Sequence, residues 1–287
     1  MPLLPPELLQ RLDRLVLRSQ RRGDGVRAGE RRSLRRGRSQ EFADHRPYVP
    51  GDDLRFLDWH LYGRLDALWL KLFEEEEDRV VQLLLDTSAS MQGEKLDYAR
   101  KLAAALGFVA LGHSDRVTVG GLADGVTSYA PPRRGRNATA AVFQSIEAVQ
   151  PGGETDLGKA FEQWPRQRGT TIALLFSDLL YAEEPGKALR RLLARGGELH
   201  VFHLLAPVDL RPDLAGDVLL VDSETGEEVT LSVDEAVLDR YEATVHAWAD
   251  EVEQTCRRLG VGYTRVPTTM PLEPLVLKDL RREGVLG

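Results

Sequence analysis

The sequence predicts an α/β fold built on a mostly parallel sheet with helices on both faces. Three observations carry this expectation. The runs VVQLLLD (80–86), TTIALLFSD (170–178) and ELHVFHLLA (198–206) are continuous apolar segments, the pattern of strands buried on both sides. Helix-like segments alternate with them, as crossovers between parallel strands require. Two of the three runs close on an aspartate, Asp86 and Asp178, at the strand ends where open parallel sheets bind ligands.

The elements follow in order. PELLQRLDRLVLRSQ (6–20) places Leu8, Leu12, Leu15 and Val16 on one helical face. Residues 21–40 are rich in Arg, Gly and Ser without periodicity and read as a mobile or clamped loop. HLYGRLDALWLKLFEEE (60–76) reads as a hairpin whose second strand runs towards the strand at 80–86. Residues 1–79 therefore form an N-terminal accessory segment and 80–287 the sheet domain. In that domain KLDYARKLAAALGFVAL (95–111) is a helix, and strands 116–123 and 126–131 flank a tight Asp124-Gly125 turn. Helices at 137–149 and 156–164 precede the strand at 170–178. A helix at 182–197, stopped by Gly196-Gly197, precedes the strand at 198–206. The run 218–233 reads as an edge hairpin turning at Thr225-Gly226. A helix (234–259), a strand (263–267) and a helix after Pro271 close the chain.

The 287 residues suffice for one large domain with an appendage. Hydrophobic residues at 42% and charged residues at 29% exclude a disordered or collagen-like chain. No apolar run approaches the roughly 20 residues of a membrane span, and no secretory signal is visible, so a cytoplasmic protein is expected. A single cysteine, Cys256, excludes a disulfide framework and a cysteine-cluster metal site. The net charge of −7 is uneven: residues 1–40 carry 11 Arg against 4 acids, about +7, and the remainder about −14.

Asp86 opens Asp86-Thr87-Ser88-Ala89-Ser90, a DxSxS run leading into a helix. Alternation presents Asp86, Ser88 and Ser90 towards one point. Gly152-Gly153-Glu154-Thr155 supplies a further hydroxyl at a helix start, and Asp178 a second carboxylate. Hard oxygen donors of this kind suit Mg²⁺, with Mn²⁺ as the alternative, and not Zn²⁺. The competing reading is that Ser88 and Ser90 cap the helix beginning near Glu94.

Asp86, Ser88, Ser90, Thr155 and Asp178 resemble the metal-ion-dependent adhesion site of von Willebrand factor type A domains. The resemblance implies a von Willebrand factor type A-like, Rossmann-like sheet. It also implies that the hydroxyls bind the cation directly, that the aspartates act directly or through water, and that one position is left for a partner's carboxylate. Leu179 departs from the pattern, since many members have glycine after the last aspartate. Upstream, Arg46-Pro47-Tyr48-Val49-Pro50-Gly51-Asp52-Asp53-Leu54-Arg55, followed by Asp58-Trp59, resembles the hallmark of the bacterial domain of unknown function 58 family. That resemblance runs over nearly the whole chain and implies partnership with a MoxR-type AAA+ ATPase in remodelling or maturing other proteins. Some members carry membrane spans before the hallmark, and none is expected in the residues that precede it here. Pro50-Gly51 fits the centre of a type II turn. Asp52, Asp53 and Asp58 lie near Arg46, Arg55 and Arg64 in a charge network expected to clamp the segment onto the sheet domain. Trp59, Trp69 and Phe73 read as packing residues.

Other candidates are weaker. Glu74 to Glu77 read as a solvated strand end more readily than as a docking patch. His200 and His203, three apart on a strand, face opposite sides and share no metal. His45, His60, His113 and His246 are isolated, and Cys256 reads as a buried thiol. No GxxxxGK[ST], HExxH or GxSxG run occurs. A phosphatase of the haloacid-dehalogenase type needs a second acid where Ser88 stands. The Arg-rich stretch 18–38 could bind phosphate backbones, but it lacks interleaved aromatics and is attached to an acidic body. The expected function is therefore non-enzymatic: Mg²⁺-dependent capture of an acidic side chain on a MoxR-type ATPase or its client, with nucleic acid disfavoured.

Overall fold

The computed structural model describes residues 3–19, 40–75, 79–153, 155–180, 184–221 and 228–287. Outside them fall residues 20–38 of the Arg-rich stretch, Glu76 and Glu77, Glu154, and the Thr225-Gly226 turn. The chain divides into two compact units, Met1–Arg22 with Arg79–Gly287, and Gly23–Asp78.

In the larger unit a six-stranded sheet has the order β10-β7-β6-β3-β4-β5. These strands are β3 (Val80–Asp86), β4 (Arg116–Leu122), β5 (Val126–Arg134), β6 (Thr171–Ser177), β7 (Glu198–Leu205) and β10 (Gly262–Pro267). All neighbours pair in parallel except β4 with β5, which form the hairpin expected around Asp124-Gly125. β3 and β6 are buried at every residue, which is why they read as unbroken apolar runs.

The alternation along each strand feeds two cores. Val81, Leu83 and Leu85 of β3 join the core made with α1 (Pro6–Leu12), α3 (Glu94–Gly112), α4 (Thr139–Glu147) and the C-terminal helical segment 272–282. Leu84 joins the opposite core, with α5 (Leu157–Gln163), α6 (Pro185–Leu193) and α8 (Glu235–Leu259). Helices therefore cover both faces, as expected. β3 continues through α3 to β4 on one side, while β6 flanks it on the other. The strand order thus reverses between β3 and β6, and the crevice of such a sheet opens there. Gly120 in β4 makes room for the second core, since a Cβ there would lie 2.1 Å from the Trp164 ring.

Three expectations are corrected. The helix expected over 6–20 ends at Leu12, and Val16 is exposed, while Leu17 is buried and bridges to Leu286. The run 218–233 is no edge of the main sheet; β8 (Gly216–Val221) and β9 (Glu228–Val233) pair as a separate two-stranded sheet. The run 60–76 is not a hairpin. It forms α2 (Trp59–Leu65) and then β2 (Trp69–Glu75), which pairs antiparallel with β1 (Gln40–Pro47) in the smaller unit. The Asp58 carboxylate decides this, accepting hydrogen bonds from the amides of His60 and Leu61 at the helix start. Asp66, in the left-handed region at φ 50°, ends the helix.

Among the described residues no helix is long and apolar enough to cross a membrane.

Candidate metal site at the strand switch

Asp86 ends β3, wholly buried. Its Oδ1 accepts the Ser88 amide hydrogen at 2.9 Å, turning the chain back, and its Oδ2 accepts the Ser177 hydroxyl at 2.5 Å. Ser88 and Ser90 follow with their hydroxyl oxygens 3.0 Å apart. Burial and the nearby Asp178 carboxylate push Asp86 up, to about 7. A carboxylate held this way is poor company for solvent-free apolar neighbours and good company for a cation.

Asp178 follows β6 and is also wholly buried. Its Oδ1 accepts from the Leu180 amide at 3.1 Å, and its Oδ2 accepts from Lys95 Nζ at 2.6 Å. Leu179 adopts the left-handed region at φ 55° with its side chain 1% exposed in the second core. Glycine meets that backbone without cost. Leucine carries strain of about 1–3 kcal/mol there, offset by the burial of its side chain.

Thr155 is half-buried on a loop tied down on both sides. The Gly152 amide donates to Thr87 O at 2.7 Å and the Ala89 amide to Gly153 O at 3.3 Å. Beyond it, the Asp156 amide donates to Ala123 O at 3.1 Å. Thr87 closes the arrangement, its amide and hydroxyl both donating to Leu122 O. The loops after β3, before α5 and after β6 are thus placed at one end of the sheet.

The helix-cap alternative for the serines has no geometry behind it. Gly93 is the N-cap of α3 and receives no side-chain hydrogen bond, and Ser88 caps nothing at the short 3-10 turn Ala89–Met91. Among the described residues no group of three or more His, Cys, Asp or Glu side chains is arranged to hold a metal. A cation here depends on hydroxyls, and the oxygen-only donor set beside a buried carboxyl fits Mg²⁺.

The signature residues build the smaller unit. The Arg46 guanidinium grips Asp52 with two hydrogen bonds, 2.7 and 2.6 Å, and holds its carboxyl below the usual range. Asp52 Oδ2 also accepts the Val49 amide, and Gly51 at φ 107° completes the turn expected at Pro50-Gly51. Tyr48 donates its amide to Leu68 O. Asp53 pairs with Arg55 and caps a short 3-10 turn. Asp58 pairs with His45 (2.8 Å) and Lys71 (3.6 Å), two basic residues outside the expected Asp/Arg network. The His45 hydrogen bond, the Leu61 amide and Lys71 hold it down, to about 2. Trp59 is 65% exposed, so it is not the packing residue expected; its ring meets the edge of Tyr62, at 6.2 Å.

A model of the family described as protein of unknown function DUF58 matches residues 44–251, a span that takes in the signature and all five site positions. The chain belongs to the DUF58 family. Uncharacterized proteins of Mycobacterium bovis and Mycobacterium tuberculosis are 29% identical to this DUF58 chain, over 98% of it and 92% of their own length. Two solved structures are similar in part. A conserved hypothetical protein BatB from Bacteroides thetaiotaomicron has a TM-score of 0.41 at 15% identity, over 72% of this chain and 98% of its own. An aerotolerance-related membrane protein from Bacteroides fragilis has a TM-score of 0.42 at 16% identity, over 71% and 97%.

Three residues of this candidate site in the DUF58 chain escape sequence reasoning. Ser177 sits inside an apolar run. Lys95 stands in a helix start that reads as solvated, yet its side chain is only 6% exposed. Asp209 belongs to the short helix α7 (Pro207–Leu210) after β7, and it meets Lys95 at 3.0 Å. His203, on β7, reaches the Asp178 carbonyl with Nε2 at 3.0 Å and Tyr263 OH with Nδ1 at 2.7 Å. Burial pushes this imidazole down, to about 3, so it holds the loop as a neutral ring.

Proposed function

We propose that the chain is a non-catalytic, metal-dependent protein-binding module, working in the cytoplasm with a MoxR-type AAA+ ATPase or with that ATPase's client. The observation that carries this reading is the disposition of the two serines: their hydroxyls lie side by side next to a buried carboxyl that no ammonium or guanidinium meets among the described residues, and they cap no helix. Asp86 supplies the charge, Ser88 and Ser90 direct hydroxyl ligands, Thr155 a third hydroxyl from the facing loop, and Asp178 a second carboxylate across the switch point. Mg²⁺, or Mn²⁺ in its place, supplies when bound a position open to an acidic side chain of the partner. Nothing in this arrangement requires a nucleophile or a general base.

A pull-down of the purified MoxR-type ATPase on immobilised protein tests the reading. Retention is expected in Mg²⁺ and loss in EDTA. In Mg²⁺, the double variant Ser88→Ala/Ser90→Ala is expected to bind about tenfold more weakly or worse, a cost of about 1.4 kcal/mol or more. Equal retention by both proteins in both buffers would overturn it.

A further inference from the structure

Lys95 is the one cation that meets Asp178 among the described contacts, and it is almost as buried as the carboxylate itself. It is the second residue of α3 and reaches across the end of the sheet. Its ammonium lies 2.6 Å from Asp178 Oδ2, and 3.1 and 3.0 Å from Asp209 Oδ1 and Oδ2. Asp209 is itself held, accepting the Ala206 amide at 2.8 Å, while its carbonyl accepts the Tyr241 hydroxyl at 3.1 Å. Asp178 spends its other oxygen on the Leu180 amide. Both of its oxygens are therefore engaged by groups of this chain. Asp86 stands differently: its partners are an amide and a hydroxyl, and no ammonium or guanidinium meets it among the described residues.

We infer that Lys95 is a positioning residue that keeps Asp178 from ligating the cation directly, so that the site holds its metal through Asp86 and hydroxyls. The inference rests on the metal reading of the site proposed above and specifies how that site is charged. An ammonium parked on Asp178 neutralises one of the two facing carboxylates without a metal. It also leaves a bound dication with more of its positive charge uncompensated, and that charge is what an incoming carboxylate is attracted to. Lys95 trades cation affinity for partner affinity. Asp209 fixes it in that place from the far side.

Two substitutions break the same ion cluster and separate this role from a merely structural one. Lys95→Met removes the ammonium, frees Asp178 Oδ2 and takes a positive charge away from the site. Mg²⁺ binding measured by calorimetry is then expected to tighten by about tenfold or more. The metal-free variant melts below wild type because two buried carboxylates face each other, and Mg²⁺ raises its melting temperature more than it raises that of wild type. Asp209→Asn keeps the ammonium on Asp178 and removes a negative charge, so Mg²⁺ affinity stays level or falls. A structural role would move both variants in the same direction. The inference is overturned if wild type binds Mg²⁺ and Lys95→Met binds it equally or more weakly. Should Lys95→Met fail to fold, tighter binding by Asp209→Asn overturns it as well. If wild type shows neither heat of binding nor a Mg²⁺-dependent melting shift, the metal reading itself fails and this inference falls with it, a result distinct from the other two.

Discussion

Asp86→Asn abolishes the Mg²⁺-dependent rise in melting temperature and leaves the metal-free protein at pH 8 as stable as wild type or more so. The two halves of this expectation have one cause. The Asp86 carboxyl is raised in the folded state, first by burial and then by Asp178. A carboxyl raised on folding binds its proton more tightly in the native than in the unfolded chain. Stability is therefore lost as pH rises through the interval between the ordinary carboxylate range and about 7. At pH 8 wild type carries that cost unless a cation offsets it. Asparagine keeps an oxygen for the Ser88 amide and carries no charge, so the cost disappears together with the site. In wild type, Mg²⁺ at a hundred times its dissociation constant stabilises by about 2.7 kcal/mol, or roughly 5–10 °C for a domain of this size. Differential scanning fluorimetry of both proteins at pH 5 and pH 8, with Mg²⁺ and with EDTA, reads all of this. A variant that melts well below wild type in EDTA at pH 8, or that keeps the Mg²⁺ shift, contradicts it.

Trp164→Ala lowers the stability of the chain by about 3–5 kcal/mol through the cavity it leaves, with a further cost of about 1–3 kcal/mol for a stranded polar group. Trp164 is 2% exposed, stacks edge-on against Tyr129 at 5.3 Å, and donates its indole hydrogen to Gln82 Oε1 at 2.5 Å. Gln82 is the polar residue within the apolar run that precedes Asp86 in β3, and the indole is its side-chain partner. Chemical denaturation checks the loss. Trp164→Phe, which keeps most of the volume, separates the hydrogen bond from the cavity. Gly120 supplies the second arm. Gly120→Ala alone is destabilising, because its Cβ would sit 2.1 Å from the indole. In the Trp164→Ala background that clash is gone, and the two costs are expected to be far from additive. Additive costs would mean the ring does not occupy this place.

How far the fold was legible depended on how local its causes are. β3, β6 and β7 were readable because a strand buried on both faces has to be apolar at successive positions, a constraint no neighbour can lift. The Pro50-Gly51 turn was readable because its backbone, with Gly51 at φ 107°, restricts residue type. The segment 60–65 is a helix because one carboxylate, Asp58, caps its start, while Gly63 in the middle of so short a run hides the helix from a reading by propensity. Trp59 reads as core by residue type alone, and nothing local records that its ring is exposed. Around the candidate site, the five positions proposed for the cation lie at strand ends and helix starts, where pattern and chemistry coincide. Lys95, Ser177 and Asp209 act across sequence separations of 83, 91 and 114 residues, and only the folded sheet brings them to Asp178, Asp86 and Lys95.

The most direct measurement of the central claim is anomalous diffraction from crystals of the full chain grown with Mn²⁺. One anomalous peak is expected at the carboxyl ends of β3 and β6, in contact with the Ser88 and Ser90 hydroxyls beside Asp86, with Lys95 still on Asp178. Crystals soaked to saturation that show no peak there, with Ser88 and Ser90 still bonded to each other, would contradict it.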